Sequence, residues 1–145
     1  LSVECFDEVQ GLLNLNGVFI INFNGFEKNP EGQASRVLHK TLIESGFMVH
    51  IVPTFETEDQ RNTLFISTMQ EIDLLKSRFS VTLDGSQHKL NHFEAKSQRW
   101  FTNDEIITDD HPVMELLNYK ASIKWRKDFR KLIKSQTSEN YFYSL

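Results

Sequence analysis

Cysteine is nearly absent from this chain. Cys5 is the only one, so no disulfide can form within the chain, which fits a reducing compartment such as the cytoplasm. Cys5 itself reads as a small core residue on a helix face. Long apolar runs are missing as well. Nothing approaches the ~20 consecutive apolar residues of a membrane-spanning helix. The first residues carry Glu4, Asp7 and Glu8 without a basic segment, so they do not read as a signal peptide. No internal repeat, low-complexity tract or interdomain linker interrupts the sequence. What is present is ordinary for a globular protein: 39% apolar and 25% charged residues over 145 positions, enough for one domain or a piece of one. Twelve Phe residues can furnish a substantial core.

The net charge of −4 conceals an asymmetry. Residues 119–134 hold seven basic side chains (Lys120, Lys124, Arg126, Lys127, Arg130, Lys131 and Lys134) and one acid, Asp128. The rest of the chain holds 9 basic and 19 acidic residues, so +6 faces −10. A segment of one sign on a body of the other can dock onto that body or onto a separate acidic partner.

Two runs rich in β-branched residues, Met48–Pro53 and Thr63–Thr68, flank a polar segment. They read as an antiparallel hairpin with a long exposed loop. Ahead of them, Ser2 can cap a helix to about Asn14, with Cys5, Phe6, Val9, Leu12 and Leu13 on one face. Asn16-Gly17 reads as a turn. Val18–Phe23 is apolar without alternation, the pattern of a central strand covered on both faces. Residues 31–45 read as a helix with Ala34, Val37, Leu38, Thr41 and Leu42 inward, ended by Gly46. Strand, helix, hairpin is the far end of an open α/β sheet closed by an antiparallel strand.

Beyond the hairpin, residues 71–79 suggest a short helix. Asp84-Gly85 suggests a turn between strands at 79–83 and 87–93. Trp100 and Phe101 read as covering a core edge. Val113, Leu116, Leu117, Ala121, Trp125, Phe129 and Leu132 fit one amphipathic helix to about Ser135. The pattern begins mid-course and the first residue is Leu1, so a C-terminal fragment of a longer protein is expected.

Several segments in this order resemble the C-terminal half of spermidine synthase-like proteins, a branch of the class I S-adenosylmethionine-dependent methyltransferase superfamily. They are Phe6-Asp7-Glu8-Val9, then Leu12-Leu13-Asn14-Leu15-Asn16-Gly17-Val18 leading into strand five, then Val52-Pro53-Thr54-Phe55. Asn62-Thr63-Leu64-Phe65-Ile66-Ser67 and Ile107-Thr108-Asp109-Asp110-His111-Pro112-Val113-Met114-Glu115 follow. The last is similar to the family's Leu-Thr-Asp-Asp-x-x-Pro-x-Glu segment. The likeness spans residues 1–117 with gaps and rests on the order of the motifs. It implies a Rossmann-like, mixed α/β sheet. Residues 1–68 would supply strands five to seven, and residues 69–145 a family-specific extension with the basic helix.

The resemblance also implies a chemistry: transfer of an aminopropyl group from decarboxylated S-adenosylmethionine to a polyamine. The family's base, an Asp after strand four, and its glycine-rich nucleotide loop lie upstream. This chain has no Gly-x-Gly. It is therefore expected to bind no cofactor tightly by itself and to be inactive alone. The longer parent would take decarboxylated S-adenosylmethionine or S-adenosylmethionine. The implied partners are an amine acceptor and the remainder of the same Rossmann-like domain, with a homodimer left open. Nucleic acid and membranes are not expected partners.

Three places would face the acceptor. Phe55 stands where the family has a Tyr that touches the polyamine; it lacks the hydroxyl, but its ring can attract an ammonium. Asn22, Asn24 and Glu27 follow strand five, where open α/β sheets bind ligands. Asp109 and Asp110 can hold an ammonium through charge-assisted hydrogen bonds. Each has a plainer role too: Phe55 as an edge-strand core residue, the second group as ordinary loop polarity, and Thr108-Asp109-Asp110 as the N-terminal cap of the following helix. His88 and His92 in an extended run sit ~13 Å apart, too far to share a metal, and His39, His50 and His111 form no triad. Two alternatives stay open. One is an S-adenosylmethionine-dependent methyltransferase portion. The other is a non-enzymatic binding module using residues 119–134, whose blander reading is a solvated face on a packed helix.

Overall fold

The computed structural model describes residues 1–27, 30–54, 62–71, 80–83, 86–89 and 105–137. Five strands and three helices follow in the order α1 (Val3–Leu12), β1 (Val18–Phe23), α2 (Gln33–Glu44), β2 (Met48–Pro53), β3 (Thr63–Thr68), β4 (Ser80–Leu83), β5 (Ser86–Lys89) and α3 (Met114–Thr137). A single 3-10 turn, Pro30–Gly32, leads into α2. The fold is mixed α/β. Phe55, most of the 71–79 segment, the Asp84-Gly85 turn, His92, Trp100 and Phe101 lie outside the described residues.

α1 starts because Ser2 turns its hydroxyl onto the Cys5 amide at 3.2 Å, satisfying one of the four orphan donors of the first turn. Phe6, Val9 and Leu13 turn inward and Cys5 is half-buried. Leu12, expected on that face, is 86% exposed. α2 carries the center of the core. Val37, Leu38 and Leu42 are buried, each contributing ~1.5–3 kcal/mol, and Ala34 and Thr41 are buried with them. The helix ends in a Schellman motif. Gly46 adopts φ +86°, its amide reaches Ile43 O at 2.9 Å, and the Phe47 amide reaches Leu42 O at 3.1 Å. Only glycine takes that backbone without steric cost.

β1, β3 and β2 form one antiparallel sheet in that order. β2 and β3 pair as the expected hairpin, Met48 opposite Thr68 and Pro53 opposite Thr63. β1 pairs with the other side of β3, Val18 opposite Thr68 and Phe23 opposite Thr63. β1 and β2 therefore run parallel with β3 inverted between them. Phe19, Ile21, Phe23, Phe65 and Ile51 face α1 and α2 and join one cluster with Phe6, Leu38 and Phe47. β4 and β5 pair with each other, Ser80 opposite Lys89.

Two expectations are corrected here. β1 is covered on one face only: Val18 is 47% and Ile20 54% exposed. Its largely apolar sequence, broken only by Asn22, concealed an alternation that is plain in the burial. The reason is layering: among the described residues the core cluster packs on one face of the sheet, and β1 is also its edge rather than a central strand. On α3, Leu116 is 74% and Phe129 41% exposed, while Ala121 is buried. α3 packs on α2 and the Pro30–Gly32 turn rather than on the sheet, so only a narrow stripe is covered. That packing joins the C-terminal extension to the sheet-bearing part.

Candidate functional site

β1 and β2 are parallel, so their carboxyl ends share one rim of the sheet. There Thr54 and Asn62 close the hairpin: the Thr54 amide and hydroxyl both donate to Asn62 O, at 2.9 and 3.0 Å. Thr63, the first residue of β3, donates its hydroxyl to Glu27 Oε1 at 2.8 Å. The loop bearing Glu27 is fixed from below. Ser35 donates to Phe26 O at 2.5 Å, and Arg36 reaches Glu27 O at 3.4 Å. Gly32 lies so close to the Glu27 backbone that a Cβ there would overlap it. Phe26 is buried and carries Lys124 of α3 above its ring at 4.1 Å.

Of the residues expected at this rim, Glu27 is half-buried and engaged with Thr63, and Asn24 is exposed. Asn22 does not follow the strand. It lies within β1, opposite Leu64, on the sheet's outer face.

Asp109 and Asp110 sit at a different support. The Ile107 amide donates to Thr41 Oγ1 at 3.0 Å, and the Val3 amide donates to Ile107 O at 2.9 Å. Residue 107 thereby straps α1 to α2. A tight turn follows, closed by the His111 amide on Thr108 O at 3.0 Å, with both aspartates at its tip. Ser2 Oγ donates to Asp109 Oδ1 at 2.5 Å, and the Asp109 amide donates to Glu4 Oε2 at 3.1 Å. Asp110 is exposed. Glu105 and His111 meet at 2.8 Å beside the turn.

The expected cap is therefore corrected. α3 begins at Met114 with the Leu117 amide on Val113 O, so Asp109 caps nothing there. It braces the N-terminal cap of α1 instead, where the helix dipole favors a carboxylate. Ser2 joins the turn across a separation of 107 residues. No local pattern marks that pairing in the sequence.

Among the described residues, no three His, Cys, Asp or Glu side chains converge as a metal site. No helix there is long and apolar enough to cross a membrane. A hollow of about 480 Å³ runs along α3, lined by Ile123, Arg126, Lys127, Arg130, Lys131 and Lys134. Among the described residues the lining is five cations and no carboxylate, which does not suit a sulfonium nucleotide such as S-adenosylmethionine, itself positively charged. No family model matches the chain, and neither a curated protein nor a solved structure is significantly similar to it.

Proposed function

We propose that this chain is the C-terminal portion of a Rossmann-like, spermidine synthase-like aminopropyltransferase, completed by an upstream half that carries the nucleotide loop and the base. The observation that carries this reading is the strand order. The last strand of the sheet, β3, lies inverted between the parallel β1 and β2. That is the arrangement expected of strands five, seven and six closing such a sheet. The edge of β1, open among the described residues, and its half-exposed outer face would give an upstream half a place to pair. Its motifs resemble that family in the same order.

On this reading, the chain contributes the acceptor side. Asp110 is the residue to hold an acceptor ammonium, because both aspartates are exposed but the Asp109 carboxylate is engaged by Ser2. Asn24 and Glu27 border the strand ends, and Phe55 follows them in sequence. No step of transfer runs through this chain's described residues.

Calorimetric titration tests the proposal, using the chain and the longer parent with decarboxylated S-adenosylmethionine, S-adenosylmethionine and putrescine. Binding by the parent and none by the chain is the expected result. Preference for S-adenosylmethionine would make the parent a methyltransferase. Silence from both would sink the transferase reading. In the parent, Asp110→Asn should weaken the amine acceptor about tenfold, the loss of one charge-assisted contact, with nucleotide affinity unchanged. Equal acceptor kinetics in the variant would remove Asp110 from the site.

A further inference from the structure

Among the described residues, the outer half of α3 belongs neither to the core cluster nor to the acceptor site. At 3.6 residues per turn, seven of its exposed side chains fall in one arc of about 140°. Leu116, Tyr119 and Ile123 occupy the N-terminal end of that arc, all exposed. Arg126, Lys127, Arg130 and Lys131, also exposed, occupy the C-terminal end. Among the described residues of this half of α3 the acid is Asp128, which pairs with Lys124 at 2.9 Å and with Lys131 of the arc at 3.7 Å. Those lysines hold its carboxyl below the usual carboxylate range, Lys124 foremost by its hydrogen bond.

The arrangement distinguishes among anionic partners. A helix lying in a membrane surface keeps apolar side chains at the middle of its buried arc and cations at the margins. Here Leu116 and Ile123 hold the middle at the N-terminal end only, and Arg130 and Lys134 hold it at the C-terminal end, so the apolar part is short for that geometry. An extended acidic peptide turns alternate residues to one side, so over the ~12 Å from residue 126 to 134 it offers about two carboxylates. Duplex DNA carries one charge per ~1.7 Å, about seven over the same length. The cations also form two rows, Arg126 and Arg130 on one flank, Lys127 and Lys131 on the other. Two rows suit the two phosphate walls of a groove. A helix about 10–12 Å across enters the ~12 Å major groove of B-form DNA, whereas the major groove of A-form RNA is too narrow.

We propose that the outer face of α3 is a docking surface for double-helical DNA, engaging its phosphate backbone through Arg126, Lys127, Arg130 and Lys131. The sequence pattern alone favored a merely solvated basic face. The fold adds that Arg126, Lys127, Arg130 and Lys131 all stand exposed together on one side of α3. This surface goes beyond the transferase reading and stands or falls separately, since no acceptor-side residue belongs to it.

Fluorescence anisotropy with a labeled mixed-sequence duplex of about 20 bp tests it. Binding should weaken from 50 to 200 mM salt with a log–log slope of about −3.6, four phosphates at 0.9 each. R126Q/R130Q should lower affinity about tenfold or more at 50 mM salt and flatten the slope by about 2. L116A/Y119A should bind within about twofold of the unaltered chain. An unchanged far-UV circular dichroism spectrum separates lost binding from lost folding, and K127Q/K131Q provides a second basic pair if the first unfolds. The proposal is overturned by no binding at 50 mM salt, by unaltered binding of both double-basic variants, or by equal or tighter binding of an RNA duplex. Binding to phosphatidylserine vesicles without binding to DNA overturns it as well.

Discussion

His39 lies in α2 with 4% of its surface exposed and its ring tilted against Phe65, centroids 6.4 Å apart. Burial disfavors the imidazolium and lowers its pKa to about 4. The unfolded chain takes up that proton near pH 6.5, the ordinary value. Between pH 6.5 and 4 the unfolded state therefore holds more protons than the folded one, and stability rises with pH across that window. It is fully present above pH 6.5, falls by about 2 kcal/mol at pH 5, and levels off below pH 4. Urea unfolding of the chain and of H39Q at pH 7.5, 6 and 5 measures this. The variant should lose less stability over the range; parallel losses would assign the acid sensitivity to other groups. Ser67 poses the opposite case. Its hydroxyl is buried between Phe19 and Val49 in the register and meets no hydrogen-bond partner. Removing an unpaired buried group relieves its desolvation, so Ser67→Ala should leave the urea midpoint unchanged or raise stability by up to about 1 kcal/mol.

At the element scale, α2 shows how local sequence fixes a boundary. Gly46 combines a positive φ with two carbonyl-satisfying bonds, and Gln10 of α1 donates to Ser45 O beside it. Gly46→Ala forces a Cβ into the left-handed region, at a cost of about 1–2 kcal/mol. Thermal unfolding should register a fall of several degrees; a wild-type midpoint would mean the helix end relaxes freely. Features of this kind were legible in the sequence: the Ser2 cap, the inward stripe of α2, Gly46 as its stop, and the β2–β3 hairpin. The cap, stripe and stop depend on neighbors within about five residues, and the hairpin on two adjacent apolar runs. The orientation of α3 was not legible. Leu116 and Leu117 are both apolar but point to different sides, and periodicity cannot choose which side meets α2. The bracing of α1 by Asp109 was hidden for a related reason, because its partners lie about a hundred positions away.

For the whole molecule, the question is whether the sheet ends at β1. A largely apolar strand is expected to be covered on both faces, yet Val18 and Ile20 stand exposed. Sequence and burial agree only if the outer face of β1 is an interior surface in a larger sheet. Ile20→Lys separates the cases. In the chain alone, position 20 is more than half exposed, so a lysine should shift stability by no more than about 0.5 kcal/mol. It should also reduce self-association by placing a charge on an open edge strand. In a longer parent that adds a parallel strand and covering helices, the same lysine becomes a buried unpaired charge, costing about 3 kcal/mol or more. Thermal unfolding of both pairs of proteins, with sedimentation of the chain, gives the contrast. Tolerance in the chain and severe loss in the parent would support a sheet continuing past β1. Tolerance in both would leave β1 as a true edge and remove the main support for a Rossmann-like parent, whatever the DNA-binding behavior of α3.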